Sequence, residues 1–182
     1  GFQNQFEFVK TQGSYTSMGA DFLLRKNIQQ FSCWLSYSLM QSEYTFETIA
    51  PEPFTSNFDI PHNLTLGTSY LYEGLKLAAG LNWRSGNPTT VPVTGNEIVD
   101  GNINFGPTNA ERFDDYLRVD ASVVYQFKIG DAKAEAGASV WNILNQTNTI
   151  GSFYRINAEN EVVENKQTAL GITPNASFRI TL

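Results

Sequence analysis

Thirteen residues at the end of the chain, 170–182, alternate without a break. Leu170, Ile172, Pro174, Ala176, Phe178, Ile180 and Leu182 fall on one side of an extended strand. Ala169, Gly171, Thr173, Asn175, Ser177, Arg179 and Thr181 fall on the other. Side chains of a strand point to opposite faces in turn, so a period of two predicts a strand with one apolar face. The pattern recurs over 75–85, where Leu75, Leu77, Ala79, Leu81 and Trp83 oppose Lys76, Ala78, Gly80, Asn82 and Arg84. It recurs over 117–127, where Leu117, Val119, Ala121, Val123, Tyr125 and Phe127 oppose Arg118, Asp120, Ser122, Val124 and Gln126. Segments 62–72 (Leu64, Leu66, Thr68, Tyr70, Tyr72), 30–45 (Phe31, Cys33, Leu35, Tyr37, Leu39) and 18–26 (Met18, Ala20, Phe22, Leu24) follow the same rule. A further strand starts near Lys133, with Ala134, Ala136, Ala138 and Val140 on one face, and is expected to run irregularly to about Asn157. Helical spacing fits none of these segments, so the expected class is all-β and antiparallel.

The connections between these segments alternate in length. Residues 27–29, 73–74 and 128–132 read as short turns, whereas 45–61 and 86–115 are long and rich in Gly, Pro, Asn and Thr. A tight hairpin is expected at 157–161, joining two overlong strands. Short turns at one end and long loops at the other are the pattern of an outer-membrane β-barrel, with short periplasmic turns and longer extracellular loops. Charged residues make up only 16% of the 182 residues, against roughly 25% in soluble domains. A lipid-facing surface explains that deficit. The chain contains no run of roughly 18 apolar residues, so no spanning helix is expected, and alternation hides the apolar face of a spanning strand from any such search. A soluble antiparallel sandwich alternates in the same way. The long alternation, the small residues on the polar face (Gly80, Gly137, Ser122, Ser139) and the turn lengths favour the membrane barrel.

This orientation assigns faces. Leu64, Leu66, Leu77, Leu81, Val119, Val123, Phe178 and Ile180 are expected to face lipid. Tyr70, Tyr72, Tyr125 and Phe127 are expected at the inner interface and Trp83 at the outer one, where amphipathic rings prefer to sit. Asn82, Arg84, Arg118 and Asp120 are expected to face the lumen, with Arg118 and Asp120 spaced so that they can simply pair. Pro174 fits poorly inside a ladder and points to a bulge or a rim position.

Other classes of function find little support. The net charge is −6 with no basic tract, so nucleic acid is not an expected partner. Cys33 is the single cysteine, which excludes an internal disulfide or a cysteine zinc site, and it lies on the apolar side. His62 is the single histidine, lacks a recognisable nucleophile setting and reads as a strand-end residue, so no catalytic residues are assigned. Glu97, Asp100, Asn102 and Asn104 hint at calcium but lack the spacing, glycine and closing glutamate of a calcium loop, so no metal or other cofactor is assigned. No secretory leader is recognisable, as expected of a mature exported chain.

The order of short motifs resembles the C-terminal part of a TonB-dependent outer-membrane receptor of Gram-negative bacteria. The similar stretches are Gly19-Ala-Asp-Phe-Leu-Leu-Arg-Lys26, Trp34-Leu-Ser-Tyr-Ser38, Pro61-His-Asn-Leu64, Trp83-Arg-Ser-Gly-Asn-Pro88, Tyr116-Leu-Arg-Val-Asp120, Trp141-Asn-Ile-Leu-Asn145 and Pro174-Asn-Ala-Ser-Phe-Arg-Ile-Thr-Leu182. The chain departs from the family's pattern in ending on Leu182 where an aromatic is usual, and in carrying Asp59-Ile60-Pro61 where arginine is common. The resemblance implies a 22-stranded transmembrane barrel plugged by a separate domain, taking up a scarce nutrient (an iron chelate, a cobalamin or a glycan) with energy from TonB. Residues 13–182 would then supply about seven barrel strands, eight if 2–10 pairs, and residues 1–12 a loop or partial strand. No plug segment is expected within this chain. The implied partners are outer-membrane lipid, the remaining strands and plug, TonB through parts outside this chain, and in some receptors a lipoprotein. Two other classes stay open: a complete eight-stranded barrel with a structural or adhesive role, and a soluble β-sandwich binding module.

Overall fold

A computed structural model describes residues 11–46, 48, 50 and 52–182 of the chain. All of its regular structure is β. The strands are β1 (Ser14–Ile28), β2 (Phe31–Thr45), β3 (Phe54–Thr55), β4 (His62–Tyr72) and β5 (Leu75–Arg84). Short pieces follow at β6 (Pro88–Thr89), β7 (Ile98–Val99), β8 (Asn102–Ile103) and β9 (Glu111–Arg112). The chain continues with β10 (Tyr116–Ile129), β11 (Ala132–Trp141), β12 (Thr149–Ile156), β13 (Val162–Thr168) and β14 (Thr173–Thr181). Seven long strands form one antiparallel sheet in the order β1-β2-β4-β5-β10-β11-β14, so long strands adjacent in the sheet follow one another along the chain. Tight turns link these strands at one end of the sheet. Glu73 (φ 43°) and Gly74 (φ 84°) both take the left-handed conformation, as a two-residue hairpin turn matching the strand twist requires.

Cross-strand partners share a face, so the register reads out the two surfaces. One row runs Phe22–Tyr37–Leu64–Trp83–Leu117 and the next Leu24–Leu35–Leu66–Leu81–Val119. Further along lie Tyr70–Leu77–Val123–Ala138–Ala176 and Tyr72–Leu75–Tyr125–Ala136–Phe178. This surface is predominantly apolar across all seven strands, interrupted by Lys26 and Thr68 in the row through Cys33 and Ala79, and among the described residues nothing packs onto it. Phe22 is 58% exposed, Leu66 39% and Phe178 61%. Ala134, flanked by Phe127 and Ile180, is the buried apolar residue among those described. The opposite surface carries Arg84 between Asn63 and Tyr116, Asn82 between Thr65 and Arg118, and Gly80 between Gly67 and Asp120. Trp34 stands out on this polar side: its indole lies over Gly67 so closely that a Cβ there would collide with it.

The strand starting at Lys133 does not continue to Asn157. β11 stops at Trp141, where Asn142 (φ 52°) and Asn145 (φ 50°) turn the chain out of the sheet. Asparagine tolerates this left-handed conformation better than most residues. Among the described residues β12 and β13 then pair only with each other, as a hairpin separate from the large sheet. The alternating end segment is likewise shorter than expected: β14 begins at Thr173, because the Ile172 amide is taken by Asn145 Oδ1 (3.1 Å) and Ala169 N–H by the Asn148 carbonyl (2.9 Å). Pro174 is the second residue of β14, opposite Val140, and β14 is an edge of the described sheet, where a missing N–H is tolerated. The first turn centres on Gln29–Gln30, one residue later than expected. The 86–115 excursion is an irregular hairpin whose legs pair at β6–β9, at Pro92–Phe105 and at β7–β8. The expected pairing of 2–10 lies outside the described residues.

Candidate functional site

Register brings the four predicted polar-face residues together. Asn82 and Arg118 are cross-strand partners, with Arg84 and Asp120 one step away on the same face. Asp120 Oδ2 accepts from both Nε and Nη2 of Arg118 at 3.0 Å, so the pair does form. Its second oxygen accepts the Asn142 backbone N–H at 2.9 Å. The Arg118 guanidinium lies 5.9 Å from the Trp141 ring centroid, and that of Arg84 5.0 Å from Tyr116 while donating to Asn87 Oδ1. Cation–π contact and hydrogen bonding hold both arginines against the wall. They border a cavity of about 340 Å³ that Asn63 and Ile150 also line.

Above this patch the two long loops are tied to the sheet by a buried polar cluster. Asp59, 4% exposed, accepts the Ser42 backbone N–H through Oδ1 (2.6 Å) and pairs through Oδ2 with Arg112 from β9. Arg112 also donates to the Asp59 carbonyl (2.8 Å) and the Gly86 carbonyl (3.2 Å). The Ser42 and Ser56 hydroxyls share a hydrogen bond of 2.7 Å, and Asn109 donates to the Thr55 carbonyl (2.7 Å) and Asn57 Oδ1 (2.6 Å). A cavity of about 690 Å³ opens beside this cluster, lined by Met18, Leu39, His62 and Arg112 among others.

Two buried asparagines terminate strands. Asn142, fully buried, donates to the Gln146 and Leu170 carbonyls (2.9 and 3.1 Å) and accepts from Gln146 N–H (3.0 Å). Asn148 imitates a peptide: its Oδ1 accepts Leu117 N–H (2.8 Å) and its Nδ2 donates to Leu117 O (2.9 Å). It thereby extends the β10 ladder beyond the point where β11 pairing begins, at Ala121. Sequence reasoning assigned the Trp141-Asn-Ile-Leu-Asn145 stretch no such role. The available signal was two asparagines, a strand-averse type, inside an expected strand.

The remaining candidates are placed as follows. His62 opens β4, with Nδ1 2.9 Å from the Tyr37 hydroxyl and its ring stacked on Trp83 at 6.2 Å. Trp83 Nε1 donates to Asp115 (3.2 Å). Tyr70, Tyr72, Tyr125 and Phe127 gather at the opposite, short-turn end, where the last two stack at 5.7 Å. Cys33 sits half-buried on the apolar surface. The Glu97 carboxylate accepts Gly95 N–H (2.7 Å), and backbone hydrogen bonds from Gly95 and from its own N–H lower its pKa. Asn102 and Asn104 donate to the Asp100 and Asn96 carbonyls. Among the described residues no group of acidic, histidine or cysteine side chains is arranged to hold a metal. Comparison with protein-family models gives no match, and comparison with curated proteins and with solved structures gives none either.

Proposed function

We propose that this chain is a section of the wall of an outer-membrane barrel, the C-terminal strands of a TonB-dependent receptor, with no catalytic chemistry of its own. The observation that carries the reading is the uncovered apolar face, continuous over seven strands and backed by a polar one. A face of that extent exposed to water is a strong aggregation liability, whereas lipid covers it without cost. Its height is suitable. From the Leu64 row to the Tyr72 row the strand climbs roughly 27 Å at about 3.4 Å per residue, or about 20 Å after the strand tilt of a barrel, near the ~25 Å apolar band of such proteins. Aromatic rings flank the band at both ends, His62 and Trp83 toward the long loops and Tyr72, Tyr125 and Phe127 toward the tight turns. The polar face, with Asn82, Arg84, Arg118 and Asp120, then lines the lumen. The whole receptor would take up a nutrient at the loop side using energy from TonB, which is contacted by parts outside this chain.

Isolation of the native protein tests this. The expected result is an outer-membrane protein that leaves the membrane only in detergent, with a denatured mass several times the 20.3 kDa of this chain. A detergent-dependent protein near 20.3 kDa would replace the receptor with a small closed barrel. Solubility without detergent would replace both with a sandwich.

A further inference from the structure

Between the 86–115 excursion and the β12–β13 hairpin the loops border an open cleft of about 540 Å³, within the ~300–1,000 Å³ range of small-molecule sites. The two walls meet where Phe105 packs edge-to-face on Tyr154 at 5.9 Å. Phe113 adds aromatic lining, and Phe105 is about half exposed. Asn57 and Asn87 supply amides. Each has its Oδ1 already taken, by Asn109 and Arg84 respectively, which fixes the amide orientation and leaves each Nδ2 without an acceptor among the described residues. Ser152 Oγ, on the same wall, is buried with no partner among the described residues. The Tyr154 hydroxyl donates to Glu164 Oε1 (3.3 Å), and burial, with the charge of that carboxylate, raises the tyrosine pKa. No Asp, Glu, Lys or Arg side chain lines the cavity.

We propose that this cavity binds a neutral oligosaccharide. A pyranose ring presents C–H faces that stack on aromatic rings and a rim of hydroxyls that pair with amides and hydroxyls, and this wall offers both. An anionic metal chelate would find no counter-charge here. The cavity shares Ile150 with the smaller one over Asn82, Arg84 and Arg118, so it lies on the polar side of the sheet. That placement favours a free glycan over the sugars of a membrane glycolipid, which would approach from the apolar side. The inference rests on the uptake reading only for its biological sense: a folded protein binds sugar whether or not it transports it.

The test is calorimetric titration of the purified full-length protein in detergent. The probes are maltohexaose, cellohexaose, xylohexaose and mannohexaose, set against hexagalacturonate, a ferric catecholate and deep-rough lipopolysaccharide. At least one neutral hexasaccharide is expected to bind. Phe105→Ala should weaken it about tenfold or more through loss of a stacking face, while Phe105→Trp retains it. Asn87→Asp keeps the Arg84 contact but removes the donor, and should weaken binding as well. Heat-modifiable gel migration confirms that each variant is folded. The inference is overturned if no neutral probe binds at millimolar concentration, if Phe105→Ala and Asn87→Asp bind as the parent does, or if only the anionic probes or the lipopolysaccharide bind. In each of these cases a protein still inserted in the outer membrane leaves the preceding reading standing.

Discussion

Leu81 and Asn82 are neighbours in sequence and face opposite solvents in the proposed barrel. Leu81 sits between Leu66 and Val119 on the apolar surface, and Asn82 between Thr65 and Arg118 on the polar one. Leu81→Arg should cost roughly 2–4 kcal/mol of barrel stability if the position lies near the bilayer midplane, and Asn82→Arg much less. Urea unfolding in micelles or vesicles measures both, and equal losses would mean that the two faces are wrongly assigned. Asn142 makes a different kind of claim. Asn142→Gly keeps the φ of 52° available but strands the Gln146 amide and the Leu170 carbonyl, an expected loss of about 1–3 kcal/mol. Asn142→Ala should lose about 1 kcal/mol more, the cost of a left-handed backbone with a Cβ. If the two variants unfold together, conformation plays no part at this site. Facing was legible in the sequence at Leu81 because a period of two needs no knowledge of the fold. The role of Asn142 was not legible, because it joins Gln146 in its own connection to Asp120 in another strand and Leu170 in another connection.

Among the elements, most long strands were read nearly to their ends, since each is specified by its own alternation; β1, expected over 18–26, runs Ser14–Ile28, its first pairs lying in the polar stretch 14–17 that carries no apolar alternation. The errors fall where side chains replace backbone pairing. β11 stops short because Asn142 and Asn148 take over its ladder, and β14 starts late because Asn145 holds the Ile172 amide. The loop cluster was invisible for a similar reason: Asp59 and Arg112 lie far apart in sequence and meet only when both loops fold over Ser42. Arg112→Ala leaves a buried carboxylate without its cation. Opening of residues 46–61 and 86–115 should become easier by about 1–2 kcal/mol, so limited proteolysis there should run roughly tenfold faster while the strands stay protected. Arg112→Lys should recover only part of this, because an ammonium cannot serve the several acceptors that the guanidinium spans. The β12–β13 hairpin pairs with no wall strand. Replacing its outer part, 152–166, by a tight turn should therefore move the unfolding midpoint little while abolishing sugar binding. A large loss of stability would show that the hairpin braces the wall.

For the molecule as a whole, the sheet direction carries a constraint that the sequence pattern did not state. Six antiparallel junctions separate β1 from β14, so the two edge strands point the same way. Bringing them together directly would make a parallel seam in an otherwise antiparallel wall. Antiparallel closure in lipid, where no edge can stay open, therefore demands an odd number of intervening strands. One added strand gives the small barrel and fifteen give the large one. A second copy inserted in the same orientation offers a downward strand to a downward edge, and so forms a like-directed seam.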